Sequence, residues 1–228
     1  MVEVTNMNQD HAVLLAWTDI PEEEEEAFNE WYNREHVRDR VLAVPGFING
    51  RRFVAVKGAP KYLAFYETEN NAVLRSDAYV SLIANPDERS RHFIMRFRNP
   101  IRTLARLTAS LGEGEGGMLG VLALAPVEGD PSRLRRALIN EIMPALLRFR
   151  GGIAVRLLES IPSQEAVSTA RHVRKGDRSL NWALLIEADR ERTLEEAAAF
   201  LNADTLRNIG ARIEMEMATF RMAYRVSR

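Results

Sequence analysis

One order of elements occurs twice in this chain, and that repetition narrows the folds open to it more than any other feature. Ala12 to Trp17 is a short apolar run that reads as a strand. Asp19-Ile20-Pro21 and the five glutamates Glu22 to Glu26 follow. A proline in the first turn and acids near it signal a helix start, because carboxylates offset the unpaired N–H groups there. The helix is expected to run to about Leu42 and to stop before Pro45-Gly46. Ile48 to Val56 and Tyr62 to Glu67 flank Lys57-Gly58-Ala59-Pro60 and read as a hairpin. A second helical stretch covers about Asn71 to Ala84, and Asn85-Pro86 breaks it. An arginine-rich stretch then leads through Asn99-Pro100 to a strand, Ile101 to Leu111.

Near the middle lies Gly112-Glu113-Gly114-Glu115-Gly116-Gly117, a linker-like composition. Beyond it the same order returns. Strand Met118 to Ala125 precedes a helix capped by Asp130 and Pro131, and Gly151-Gly152 ends that helix. Strand Ile153 to Ser160, a polar loop (Ser163 to Arg178) and strand Leu180 to Ala188 come next. Helix Thr193 to about Ile209 and strand Arg212 to Val226 complete the second pass. An offset of 106 carries Phe28, Tyr32 and His36, one helical face, onto Leu134, Leu138 and Ile142. An offset of 120 carries Tyr62-Leu63-Ala64-Phe65-Tyr66-Glu67 onto Trp182-Ala183-Leu184-Leu185-Ile186-Glu187. Two diverged copies of one unit account for both registers.

The order β-α-β-β-α-β is that of a ferredoxin-like unit. The expected class is α+β, with one unit in residues 1–111, a linker in 112–117 and a second unit in 118–228. Such an antiparallel sheet carries helices on one face only, so its other face must find cover. Two sheets packed face to face satisfy both halves, closing into a barrel-like sandwich with a central cavity. The chain is then an internal pseudo-dimer, with a monomer or a homodimer as its solution state.

Composition removes several function classes. Across 228 residues the net charge is −1, from 31 basic and 32 acidic residues, so no global field recruits nucleic acid or an anionic membrane. There is no cysteine for a disulfide, a thiolate site or a thiol nucleophile. No apolar run approaches a membrane span, and Met1 to Asp10 does not resemble a secretory signal, so a cytoplasmic location is expected. No phosphate-binding glycine loop or G-x-S-x-G elbow occurs. The histidines, at 11, 36, 92 and 172, are too scattered for metal-ligand spacing. No metal and no cofactor are expected.

Phe28-x-x-Trp31-Tyr32-x-x-x-His36, then Leu42-x-Val44-Pro45-Gly46-Phe47 and Arg51-Arg52-Phe53, resembles the EthD-like branch of the dimeric α+β barrel proteins. Pro60 to Glu67 and Phe97-Arg98-Asn99 carry the same resemblance, which covers about Ala12 to Leu111. The second half resembles the fold pattern without the signature residues. The superfamily hosts monooxygenases, isomerases, lyases, dehalogenases and haem enzymes, so the resemblance implies a fold more than a reaction. A haem site with one histidine ligand, as in relatives of the fold, would need His36 or His172 to face a large pocket.

His36 shares a helix face with Phe28 and Tyr32. It is the expected general acid or base; the alternative is a half-buried imidazole bonded to a carbonyl or to Glu35 or Asp39. Its repeat partner is Ile142, so the fold does not need a polar group there. Tyr32 can orient a substrate oxygen, whereas Phe28 and Trp31 read as aromatic wall or core. Tyr62, Ala64 and Tyr66 share one side of their strand and Phe65 takes the other; which side faces a cavity is open. Arg51 and Arg52 straddle the two faces of the preceding strand. An inward arginine can bind a carboxylate or enolate oxygen, the role expected of Arg52. His92 lies among four arginines and reads as an anionic-substrate anchor or as part of a solvated basic loop, with Glu22 to Glu26 as an internal counter-charge.

The leading expectation is therefore a cofactor-independent enzyme acting by acid/base chemistry on an apolar, oxygenated small molecule. An aromatic-catabolism or polyketide-like intermediate would fit, and the reaction would be that of an isomerase, a lyase or a cofactor-free oxygenase. His36, Tyr32 and Arg52 are the expected catalytic groups, with Phe28, Trp31, Tyr62, Phe65, Tyr66 and His92 around the substrate. The rivals are a non-catalytic binding or scaffolding protein and a haem protein. A pocket below about 300 Å³, filled by Trp31, Tyr32 and Phe65, would count heavily against a substrate site.

Overall fold

A computed structural model describes residues 11–127, 130–161 and 178–228. In the first half β1 (Ala12–Asp19) leads through a 3₁₀ turn, Glu22–Glu24, into α1 (Glu25–Trp31). The helix continues in two π-helical segments, Tyr32–His36 and Asp39–Ala43. The hairpin is β2 (Phe47–Lys57) and β3 (Tyr62–Thr68), followed by α2 (Asp77–Ala84), α3 (Glu88–Arg96) and β4 (Arg98–Gly112). The second half repeats this order. It runs β5 (Met118–Pro126), α4 (Pro131–Ala137), a π segment Leu138–Ile142, α5 (Met143–Leu147), β6 (Gly152–Ser160) and β7 (Trp182–Ala188). It ends with α6 (Glu191–Phe200), α7 (Ala203–Asn208) and β8 (Ala211–Ser227). The π segments coincide under the offset of 106, and β3 and β7 begin and end in register under that of 120.

All eight strands form one closed antiparallel barrel, in the order β1-β3-β2-β8-β5-β7-β6-β4. The first half contributes β4-β1-β3-β2 and the second β8-β5-β7-β6, so the seams are β2–β8 and β4–β6. The long β8 serves one seam and its own half at once: it pairs with β5 from Ala211 and with β2 up to Ser227. Closure removes the unpaired strand edges that an open sheet exposes.

Among the described residues the barrel interior is filled with side chains where a central cavity is expected. Val13, Leu15, Trp17, Phe53, Phe65 and Phe220 meet Leu119, Val121 and Leu185 inside it. An eight-stranded barrel has an interior just wide enough for side chains to fill, and these residues supply the bulk. Two further cores lie outside the barrel, under the helices of each half. In the first half Phe28, Trp31, Tyr32, Val37 and Val41 pack on Tyr62, Ala64 and Tyr66. In the second, Leu134, Leu138, Ile142 and Leu146 pack on Trp182, Leu184 and Ile186.

Three local expectations change. The arginine-rich stretch is not a loop but helix α3, nucleated by Asp87 just after Pro86: its Oδ1 accepts from the Ser90 N–H at 2.8 Å, and the Ser90 hydroxyl donates to its Oδ2 at 2.6 Å. The single helix expected over 193–209 is two, because the Asn202 side chain caps α7 by accepting from the N–H groups of Asp204 and Thr205. The glycine-rich connection is packed. A Cβ on Gly116 would meet the Ala188 carbonyl oxygen at 2.3 Å, so only glycine brings that backbone against the end of β7. The loop expected from Ser163, with His172, lies outside the described residues over 162–177. No helix among the described residues is long and apolar enough to cross a membrane.

Candidate functional site

The face 28, 32, 36 extends one step further than the sequence reading took it, to Arg40. Gly50 on β2 lets the C-terminal part of the helix lie directly on the sheet: a Cβ there would stand 2.7 Å from Val37 and 2.9 Å from Val41. With the helix so seated, His36, Asp39 and Arg40 turn toward a gap between the outer face of the first-half sheet, α2 and α3. The gap is a cavity of about 100 Å³. Its floor follows from strand register. Across β4, β1, β3 and β2 the residues Arg102, Ala16, Ala64 and Arg52 lie side by side. Two alanines at the centre leave a recess with an arginine on each flank, and Ala16 lines the cavity.

Of the residues expected at the site, His36, Tyr32 and Tyr66 line this cavity. The His36 imidazole is buried, its ring 4.3 Å from that of Trp31 and 4.6 Å from that of Tyr32. Trp31 stands behind it, stacked on Phe93 at 4.9 Å and donating from Nε1 to the Ser90 hydroxyl at 3.2 Å. Phe28 lies deeper, in edge contact with Tyr32, Tyr62, Phe93 and Phe97, and is core. Tyr62 turns its hydroxyl to the Asn29 side-chain amide, which donates to it at 3.2 Å.

Three expected residues sit elsewhere. Phe65 points into the barrel, on the strand face opposite Tyr66. His92 is on the outer surface of α3, with Nε2 2.9 Å from Glu24 Oε2, and Arg96 pairs with the same carboxylate. Arg52 is buried behind Tyr32 with its guanidinium 4.2 Å from that ring. It donates to Asn33 Oδ1 at 2.7 Å and to Asn29 Oδ1 at 3.0 Å. Burial lowers its pKa, against the opposing influence of the Tyr32, Tyr66 and Tyr62 phenols. Arg51 is the arginine that enters the barrel.

Of the polar residues lining the cavity that the sequence reading did not assign to it, four bear most on its chemistry: Asp39, Arg40, Tyr79 and Arg102. Arg40 donates to the His36 carbonyl at 3.0 Å; burial would lower its pKa, but the phenols of Tyr66, Tyr79 and Tyr32 outweigh this and raise it. Asp39 is raised, first by burial and then by Asp87 and Glu35, with Arg40 opposing. Tyr79 on α2 accepts from Arg102 Nη2 at 3.2 Å. Burial pushes that phenol up, yet Arg102 and Arg40 together bring it below 10.0. Asp39 and Arg40 could have been found by continuing the helix face; Tyr79 and Arg102 come from other elements and carry no local signal.

Tyr66 is the most informative group. It is 1% exposed, lines the cavity, and its hydroxyl makes no hydrogen bond of ordinary geometry, with the Tyr32 phenol as a polar neighbour. Burial raises its pKa well above 10.0, with the Tyr32 phenol adding to the effect. A buried hydroxyl left unpaired costs about 1–3 kcal/mol, a cost that a ligand oxygen would remove.

A porphyrin does not fit here. The cavity is well below the roughly 300–1,000 Å³ of ordinary ligand sites, and Trp31 and Tyr32 crowd the His36 ring. No group of three or more His, Asp or Glu poised to hold a metal occurs among the described residues.

The sequence matches no protein-family profile and no curated protein. Its fold, however, recurs in solved structures. An anthrone oxidase-like protein superposes with a TM-score of 0.64 at 12% identity, over 100% of this chain and 96% of that one. A monooxygenase-like protein from Lactobacillus acidophilus gives 0.58 at 8%, over 96% of each chain. A heme-binding protein from Thermus thermophilus gives 0.57 at 9%, over 97% and 94%. These neighbours belong to the dimeric α+β barrel superfamily, and this chain shares their fold. At such identities the likeness speaks of architecture alone.

Proposed function

We propose that this chain is a small-molecule enzyme that moves a proton on an oxygenated substrate held in the first-half cavity. The observation carrying this is the buried Tyr66 hydroxyl, without a hydrogen bond of ordinary geometry, facing a space that His36 also lines. In this reading His36 transfers the proton, while Tyr66 and Tyr32 donate to the oxygen on which negative charge develops. Arg40 takes the cationic role expected of Arg52, and Arg52 becomes a positioning residue that holds Tyr32 through Asn29 and Asn33. Isomerisation, retro-aldol or decarboxylating cleavage, and cofactor-free oxygenation all use such groups. The fold neighbours described as oxidase-like and monooxygenase-like are consistent with the last. We read the halves as tandem ferredoxin-like units and the first as EthD-like. The second replaces Tyr32 and His36 by Leu138 and Ile142 and closes the barrel.

Size refines the substrate. A cavity of about 150 Å³ accepts benzene, so about 100 Å³ excludes a polycyclic intermediate and makes a single ring, admitted with some side-chain adjustment, the upper limit. The same small volume favours the second reading, a pocket that holds a ligand without turning it over. Proton exchange separates the two. In D₂O, protein with single-ring ketones or unsaturated lactones is expected to speed loss of the C–H signal next to the carbonyl, followed by NMR. Ligand-induced shifts with no exchange would leave passive binding. Ala16→Phe is expected to fill the recess and weaken binding of the same ligands at least about tenfold, at a stability cost of about 1–3 kcal/mol. Unchanged affinity in that variant would put the ligand elsewhere.

A further inference from the structure

We propose that the ligand of this cavity carries a carboxylate or another fixed oxyanion, seated between Arg40 and Arg102 with the Tyr79 and Tyr66 hydroxyls. The inference rests on the cavity being the ligand site, as argued above, and adds the charge its occupant must bear.

Two guanidinium groups reach this cavity from different elements, Arg40 from the helix and Arg102 from β4. Neither forms an ion pair with a carboxylate among the described residues. Other arginines nearby do find acids: Arg89 pairs with Glu35 and Glu30, and Arg96 with Glu24. Of the two carboxylates on the cavity wall, Asp87 is engaged by the Ser90 N–H and hydroxyl, and Asp39 makes no pair with Arg40 or Arg102. Arg102 spends one N–H on the Tyr79 oxygen and Arg40 one on a backbone carbonyl, which leaves both forks with donors to spare. Arg40 and Arg102 are both half-buried, and cations partly drawn out of water without a counter-charge carry a cost that an anionic ligand would offset. Planar guanidinium forks match a planar carboxylate, and the Tyr66 hydroxyl, which makes no hydrogen bond of ordinary geometry within the protein, adds a donor. The apolar remainder of the wall, Leu14, Leu82, Ile83 and Ile94, suits a ring.

The test compares benzoate with its neutral isostere benzamide, by calorimetry or NMR titration of the full chain. Benzoate is expected to bind about 10- to 100-fold more tightly. Arg102→Gln and Tyr79→Phe are each expected to erase most of that preference while leaving benzamide unchanged, and circular dichroism confirms that each variant is folded. Should one fail to fold, the wild-type preference and the other variant decide. Equal affinity for the two ligands, or no binding of either at about 10 mM, overturns the proposal. The proton-transfer reading fails separately. Exchange of a neutral ring ketone without a benzoate preference sinks the anion seat alone; a benzoate preference without any exchange upholds the seat and sinks the enzyme.

Discussion

Replacing Glu187 by alanine is expected to lower the unfolding free energy by about 3–5 kcal/mol, a large part of the roughly 5–15 kcal/mol that holds a domain together. Arg51 on β2 and Glu187 on β7 are both fully buried, and two strands, β8 and β5, lie between theirs around the barrel. Their contact, 2.6 Å from Nη1 to Oε1, therefore crosses the interior and ties the first half to the second. The same oxygen accepts from Arg156 Nη1 at 2.8 Å, and Oε2 accepts from the Gly116 N–H at 2.9 Å. Without the carboxylate, Arg51 stays buried among Phe53 and Phe65 with only the Glu115 carboxylate, 4.0 Å from Nε, as a distant counter-charge, and Nε and Nη2 make no hydrogen bond. Arg156 is partly exposed and can turn to solvent. The double change Arg51→Met with Glu187→Leu is accordingly expected to cost less than Glu187→Ala alone, since it removes both charges and keeps the volume. Urea denaturation of the single and double variants measures this. A loss below about 1 kcal/mol for Glu187→Ala would mean that the crossing pair does not hold the halves together.

The second large effect concerns His36. His36→Ile is expected to reduce proton exchange on a bound ring ketone by about 10²–10⁴-fold. It should change stability by no more than about 1.5 kcal/mol, because the position is apolar-compatible. Ile142 occupies the equivalent place in the second half, buried in a π segment of the same length. Benzoate should still bind, since its proposed anchors are Arg40, Arg102 and the two phenols. Undiminished exchange would remove His36 from the chemistry; a collapse in stability with exchange intact would make it a packing residue.

Much of the architecture was legible before any coordinates. Strand order and the placement of Phe28, Tyr32 and His36 on one face reappear in the structure, and the two offsets carry one π segment and one strand onto segments of the same length. These follow from short-range periodicity and from local stop signals such as Pro45-Gly46 and Asp130-Pro131. The arginine-rich segment hides its helix because its charge outweighs its cap: Asp87 and Ser90 mark a helix start that four arginines obscure.

Strand alternation places Arg51 and Arg52 on opposite faces, and Tyr66 opposite Phe65, from the residue order alone. It says nothing of which face the helices cover and which the barrel encloses. That choice depends on how eight strands from two halves close around one another, and it sends Arg51 and Phe65 inward and Arg52 and Tyr66 outward. Closure likewise brings Glu187 to Arg51 across 136 positions of chain, and sets Tyr79 and Arg102 beside Arg40. Local pattern encodes how each segment folds, because its forces act between near neighbours in sequence. The cavity and its charges arise only where segments far apart in the chain meet.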